Sequence, residues 1–330
     1  MTIVTKIRAK LNYAYNDVRS IFGMNDELFR KSQGAKIVVY HGICLADHTR
    51  FNSIFLPLKT FEQHLKFYKK YFNVISLDDF YNERFSKEHF NVCITFDDGF
   101  ANNYKYVLPL INKYQVPMSF FITGIRDTGN DILWNDFLAI VQKYGPQKFE
   151  FLNEQFYKDK YGQYVSNTSN KYLKDQLREK GFDSKEQIMK FLEPIVPFKA
   201  DLNEKDYWLQ MTRDEITQLS ASPFATIGCH GYYHNDLSKI PIADASNEMV
   251  DTKNFLENIT GKTINSIAFP YGAYTREVVS QAKLAGYNKL LATDFLFPGD
   301  HSDPYMRERL TVNPYISVNN QMTAIINGKY

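Results

Sequence analysis

Asn91-Val92-Cys93-Ile94-Thr95-Phe96-Asp97-Asp98-Gly99 is a short apolar, β-branched run that stops at two adjacent carboxylates and a glycine. The run reads as a buried strand, and Asp-Asp-Gly as the loop at its C-terminal end. Adjacent carboxylates at a strand end can point different ways, so that one binds a metal while its neighbour stays free as a base. Alone, Asp-Asp-Gly is more often a plain turn, because Asp and Gly favour turns for backbone reasons.

Similar apolar runs recur on both sides of it. Ala35–Tyr40, Asn73–Leu77, Pro117–Thr123, Ala225–Cys229, Ile264–Phe269, Asn288–Thr293 and Leu310–Val312 are further expected strands. Helical patterns separate them. Thr60 could cap a helix with the stripe Phe61, Leu65, Tyr68 and Phe72, and residues 243–259 form another that stops at Gly261. A third would run from a Thr275 cap to Ala285. Strands alternating with helices predict an α/β protein with a parallel sheet, here a distorted (β/α) barrel of about seven strands.

The rhythm breaks between about Asp127 and Asp206, a polar stretch rich in Lys, Tyr and Asn. It is expected to be a largely helical insertion within the barrel domain of residues 35–330, with one helix from a Ser184 cap to Leu192. An insertion of that length should overhang the catalytic edge. Residues 1–34 form an N-terminal helical segment. Within it Ile7, Leu11, Val18 and Phe22 fall near helical spacing among Lys6, Arg8, Lys10 and Arg19. Such a basic amphipathic helix could lie on a membrane surface, although more often the apolar stripe packs on its own domain.

The bulk numbers exclude little. A net charge of +2 gives no field that would favour nucleic acid. Cys44, Cys93 and Cys229 form neither a CxxC pair nor a disulfide framework, which suits a reducing compartment. No apolar stretch is long enough for a signal peptide or a membrane span, so the expectation is a cytoplasmic protein with a possible membrane contact. The aromatic share of 15% could line a sugar groove or simply fill the core.

Three more motifs follow expected strands. Gly228-Cys229-His230-Gly231-Tyr232-Tyr233-His234 sets two histidines four residues apart, a common way to offer two imidazoles to one metal. A carboxylate would complete a facial set with open positions. Residues 268–272, Ala-Phe-Pro-Tyr-Gly, and residues 40–42, Tyr-His-Gly, read singly as a turn and a structural histidine. All four motifs nevertheless fall at C-terminal strand ends, where a parallel barrel gathers its active site.

In these motifs the chain resembles the polysaccharide deacetylase family, the NodB-homology group of carbohydrate esterase family 4. The resemblance covers most of residues 36–125 and 205–318, including IVVYHGI, TFDDG, MTRDEITQLS, ATIGCHGYYHNDLS and IAFPYGAYT. It implies a hydrolase that removes an N-acetyl group from a sugar or glycan intermediate. Asp97 would be the general base, and Asp98, His230 and His234 would bind zinc or another divalent ion. The backbone N–H of Tyr271 would support the oxyanion. The partner would be a carbohydrate, and the expected cytoplasmic location favours a nucleotide-linked, lipid-linked or oligosaccharide intermediate.

Two departures stand out. Ala268 occupies the place where many members carry an arginine that orients the base, so something else must orient Asp97. No histidine follows His301 to supply the family's C-terminal acid, which leaves His41, at the same barrel edge, as preferred acid and His301 as the alternative. The block RERLTVNPY resembles the subgroup acting on exopolysaccharide or lipid-linked sugars. A deformylase or other C–N or ester hydrolase on the same site, and a non-catalytic carbohydrate-binding relative, are the competing readings.

Overall fold

The computed structural model describes residues 3–200 and 202–330; the side chains of residues 3–9, 200, 202 and 203 lie outside that description. The barrel strands are β1 (Ala35–Tyr40), β2 (Phe72–Ile75), β3 (Phe90–Phe96), β4 (Met118–Ile122), β5 (Ala225–Cys229), β6 (Ser266–Ala268), β7 (Lys289–Ala292) and β8 (Met306–Thr311). They pair in parallel in the order β1-β8-β7-β6-β5-β4-β3, and β3 pairs back onto β1 to close a ring of seven. The eighth strand, β2, shares an edge of β3 with β4: Phe72–Ile75 pairs with Phe90–Cys93, and Met118–Phe120 with Ile94–Phe96. This shared edge is the distortion of the barrel.

Inward residues of the ring form one small cluster, with Ile37, Cys93, Phe121, Ala268 and Leu291 each coming from a different strand. Outward residues such as Val38, Ile94, Phe120, Ile227 and Leu290 join the large core under the surrounding helices. Strand alternation explains the division, since Cys93, Thr95 and Asp97 share one face and Val92, Ile94 and Phe96 the other.

The main strand and helix expectations are met, with corrections at the ends. The first long helix of the barrel runs Leu58–Tyr71 and begins at Pro57, so Thr60 lies inside it and does not cap it. Ser184 is likewise internal to Phe182–Leu192, which starts after Gly181. Thr275 does cap Arg276–Leu284, its side chain accepting from the Val278 N–H. Gly261 ends Ile242–Thr260 at φ 64°, a left-handed turn that glycine allows without strain. The last strand starts at Met306, four residues before the expected Leu310.

The insertion is not helical throughout. Beside the helices Trp134–Tyr144, Leu173–Arg178 and Phe182–Leu192 it holds an antiparallel sheet of Lys148–Phe151, Glu154–Lys158 and Tyr164–Ser166. Leu152 and Asn153, at φ 50° and 62°, form a two-residue hairpin loop of the kind that suits strand twist. The insertion carries its own core around Trp134, Phe137, Ile140, Leu192 and Trp208. Both tryptophans, Trp134 and Trp208, are buried structural residues.

The N-terminal helix, α1 (Ile3–Ile21), docks in an unusual sense. Its Tyr13, Asn16 and Asp17 face meets Asn25, Ser317, Asn319 and Asn320 through hydrogen bonds, some of them to main-chain carbonyls of α1. The polar face is thus the packed one, and Leu11, Tyr15, Val18 and Phe22 are 66%, 63%, 53% and 72% exposed. Ile7, Lys6 and Arg8 fall among the side chains outside the description. Among the described residues no helix is long and apolar enough to cross a membrane.

Candidate active site

Backbone ladders carry the key residues to the barrel rim. The Asp97 N–H donates to the Tyr40 carbonyl, the His230 N–H to Ile122 and the Phe269 N–H to Leu291, each one rung beyond its strand. Past those rungs the chain turns sharply. Asp98, His234 and Tyr271 adopt left-handed backbone at φ 75°, 56° and 61°. Such conformations cost non-glycine residues about 1–3 kcal/mol each and persist where surrounding structure enforces them.

The turns bring three donors together. Asp98 Oδ1 lies 3.3 Å from both His230 Nε2 and His234 Nε2, and all three residues are buried. One ligand atom from each falls within 4.8 Å of the others. His230 Nδ1 is 2.7 Å from the Ala268 carbonyl, so Nδ1–H donates there and leaves the Nε2 lone pair facing Asp98. Two imidazole nitrogens and a carboxylate suit zinc or a similar divalent ion, and the residues fit that group. Cys229 takes no part; its buried thiol joins the outer core.

The second carboxylate faces a different partner. Arg309, from β8, reaches Asp97 with both ends of its guanidinium: Nη1 is 2.7 Å from Oδ1 and Nη2 2.6 Å from Oδ2. Nη1 also lies 3.2 Å from Thr95 Oγ1, which itself donates to the Val38 carbonyl. Burial pushes the Asp97 carboxyl up, but the charges of Arg309 and His230 outweigh it and hold the group below the usual carboxylate range. Asp97 is therefore an ionised carboxylate of fixed orientation, 3.9 Å from His230 Nε2. Arg309 thus orients the Asp97 carboxylate, which Ala268 has no side chain to reach. A strand starting at Leu310 could not have revealed it.

A cavity of about 350 Å³ opens above these groups. His41 lines it together with Asp97, Asp98, His230, His234 and Tyr271, so the structure gathers all six expected site residues. Burial lowers the His41 ring below the ordinary histidine value, against the pull of Asp98 and Asp97. The alternative acid, His301, is instead exposed beside Phe295, in a separate depression with Ala35 and Lys36 at the start of β1, the opposite barrel end.

The far wall belongs to the insertion, which does overhang the catalytic edge. Asn135, Asp136, Ala139 and Gln142 line the cavity from one face of Trp134–Tyr144. The insertion also grips the histidine loop from behind. Trp134 Nε1 donates to the His234 carbonyl at 3.0 Å, Arg178 pairs with buried Asp236 at 2.7 Å, and buried Lys185 donates to Asn235 Oδ1.

A parallel barrel with this constellation at the C-terminal ends of its strands has the layout of a hydrolytic enzyme. Residues 86–142 and 126–290, more than half the chain, match the family model described as polysaccharide deacetylase, and the chain belongs to that family. It is a hydrolase acting on the carbon–nitrogen bond of sugar N-acetyl groups. No curated protein matches the chain in sequence.

Solved structures share the fold. The Streptococcus pyogenes deacetylase PplD, solved in complex with acetate, superposes with a TM-score of 0.54 at 17% identity, covering 88% of this chain and 97% of that one. IcaB from Ammonifex degensii gives 0.54 at 15% identity, covering 90% and 98%. A polysaccharide deacetylase from Bacillus cereus gives 0.55 at 16%, covering 89% and 69%.

Proposed function

We propose that this chain is a metal-dependent de-N-acetylase whose substrate is a sugar presented at a membrane surface. The observation carrying the catalytic part is the pairing of an ionised, arginine-held Asp97 with the adjacent Asp98–His230–His234 donor set. Asp98, His230 and His234 would hold the cation, zinc or another divalent ion. When bound, it would supply Lewis-acid polarisation of the amide carbonyl and of the attacking water.

The protein groups have separable tasks. Asp97 accepts the water proton as the nucleophile attacks, and Arg309 fixes the direction of its lone pairs. The Tyr271 backbone N–H donates to the oxygen on which charge develops. His41 hands a proton to the departing amine. Because burial holds the resting ring below the ordinary histidine value, His41 takes that proton from solvent, and Asp97 returns the water proton to solvent after the acetate leaves. Acetate and an amino sugar result.

Acetate release from a panel of N-acetylated sugars tests this. Asp97→Asn should lower kcat by about 10²–10⁴-fold, the usual contribution of a positioned acid–base group. An Asp97→Asn protein as active as the parent would remove Asp97 from the reaction.

The membrane part rests on α1. Its apolar stripe faces away from the body, and of the charged residues in Ile3–Ile21 the one acid, Asp17, sits on the packed face while Lys6, Arg8, Lys10 and Arg19 are basic. An anionic lipid surface complements such a helix in both respects. Nearby, the hydroxyl of Ser317, beyond the C-terminal end of β8, donates to Asp17, so the helix sits toward the catalytic rim. A lipid-linked sugar fits this placement better than a nucleotide-linked one. The three buried, unpaired cysteines suit a reducing compartment.

In co-sedimentation, vesicles rich in anionic phospholipid should retain the protein, and Leu11→Asp/Phe22→Asp should bind at least ~10-fold more weakly. Each buried apolar side chain contributes about 1.5–3 kcal/mol. Equal sedimentation of parent and variant, or a salt-insensitive dimer without vesicle binding, would overturn this part.

A further inference from the structure

Asp136 is a buried carboxyl with work left over. It is 3% exposed, lines the catalytic cavity, and belongs to none of the roles assigned above. Its Oδ1 accepts from Asn52 Nδ2 at 3.1 Å, tying the insertion helix to the loop that forms the neighbouring wall. Asn135 Nδ2 lies 3.5 Å from the same oxygen, at the limit of a hydrogen bond. The other oxygen, Oδ2, is buried without a partner, and so is Asn135 Oδ1.

Buried polar atoms without partners are rare in folded proteins. Here two belong to successive residues lining one cavity, beside the metal-ligand set. A sugar offers what they lack: neighbouring hydroxyls that each donate and accept. An acyl chain or aromatic ligand would leave both atoms unpaired.

We propose that Asn135 and Asp136 form a hydroxyl-reading subsite for the sugar ring that carries the scissile acetamido group. Asp136 Oδ2 bonds one ring hydroxyl and Asn135 Oδ1 accepts from a neighbouring one. The Asn52 hydrogen bond holds the carboxyl in place. Burial, reinforced by the Asp98 charge, holds the Asp136 carboxyl well above the usual range. A proton on Oδ2 is thereby favoured, and with or without it this oxygen can bond a sugar hydroxyl, which both donates and accepts. A site built to hydrogen-bond a substrate hydroxyl rejects analogues that lack it far more strongly than an apolar pocket rejects a missing methylene. The insertion thus sets substrate choice while the barrel rim does the chemistry. This inference rests on the deacetylase reading for the identity of its ligand.

The test is calorimetric binding of pentameric N-acetylglucosamine, N-acetylgalactosamine and N-acetylmannosamine to zinc-loaded protein carrying Asp97→Asn, which keeps the ligand intact. Adding Asp136→Ala should weaken binding of the preferred sugar by at least 10-fold, and Asp136→Asn, which keeps a donor and an acceptor, by less than about 3-fold. Asn135→Ala, which leaves the Asn52 bond untouched, should weaken it about 3–10-fold and guards against a folding defect in Asp136→Ala. Unchanged affinity in both alanine variants overturns the subsite, as does a parent that binds none of the three sugars. Acetate release by the Asp97-intact protein separates the two ideas. Release combined with unchanged alanine-variant affinity leaves the deacetylase standing and removes the subsite alone.

Discussion

His230→Ala is expected to abolish stoichiometric binding of a divalent cation and acetate release together. The triad has only three protein donors, and His230 is the one whose ring orientation is fixed by a main-chain carbonyl, that of Ala268. Removing it leaves Asp98 and His234, too few to hold the ion in a buried site against dilution. Lewis-acid stabilisation amounts to several kcal/mol, so the rate should fall at least ~10³-fold. Metal content by mass spectrometry and acetate release are the two readings. A variant that keeps both would show that the cation is held elsewhere.

Arg309→Met should produce the second largest loss, with a signature that distinguishes orientation from mere stability. In the parent, burial raises Asp97 and the Arg309 charge overcomes that effect. Without the guanidinium only the weaker pull of the neighbouring histidines opposes burial, the carboxyl rises, and the base stays protonated to higher pH. The acid limb of the kcat/KM profile should therefore move toward neutrality, with a drop of about 10²–10³-fold at neutral pH. Stability should fall as well, because breaking a buried ion pair costs about 3–5 kcal/mol. Arg309→Lys restores the charge but not the two-pronged grip, so it should return the limb further than the rate. A lower melting temperature with an unmoved acid limb would make Arg309 structural only.

The barrel and its rim were legible because each motif follows a run of apolar residues that reads as a strand, and because all four sit at the same end. Arg309 was hidden for the converse reason. Arg307-Glu308-Arg309 carries three charges in a row, and only its pairing with Asp97 makes it tolerable inside the ring. Asp136 was equally obscure, since an acid in the first turn of a helix reads as favourable interaction with the helix dipole. Nothing in its neighbourhood announces that the side chain faces a cavity. The insertion's sheet left a faint trace in the alternation of Lys148-Phe149-Glu150-Phe151, which the surrounding polar residues masked. The reversed docking of α1 lay beyond periodicity altogether. A helical stripe tells which residues share a face, not which face the body takes.

The grip of Trp134, Arg178 and Lys185 on the loop bearing His234 limits how this enzyme can change. Asn135 and Asp136, proposed to read the sugar, and the residues that steady the loop of His234 share one segment, residues 134–185, so the segment cannot be replaced as a whole without touching both. Transplanting that segment onto another barrel would carry selectivity along only if the recipient's histidine loop offered a matching asparagine and aspartate, as Asn235 and Asp236 do here. Diversification is then channelled into the outer hairpin and the cavity-facing positions of one helix, where a side chain can be exchanged without loosening the catalytic centre.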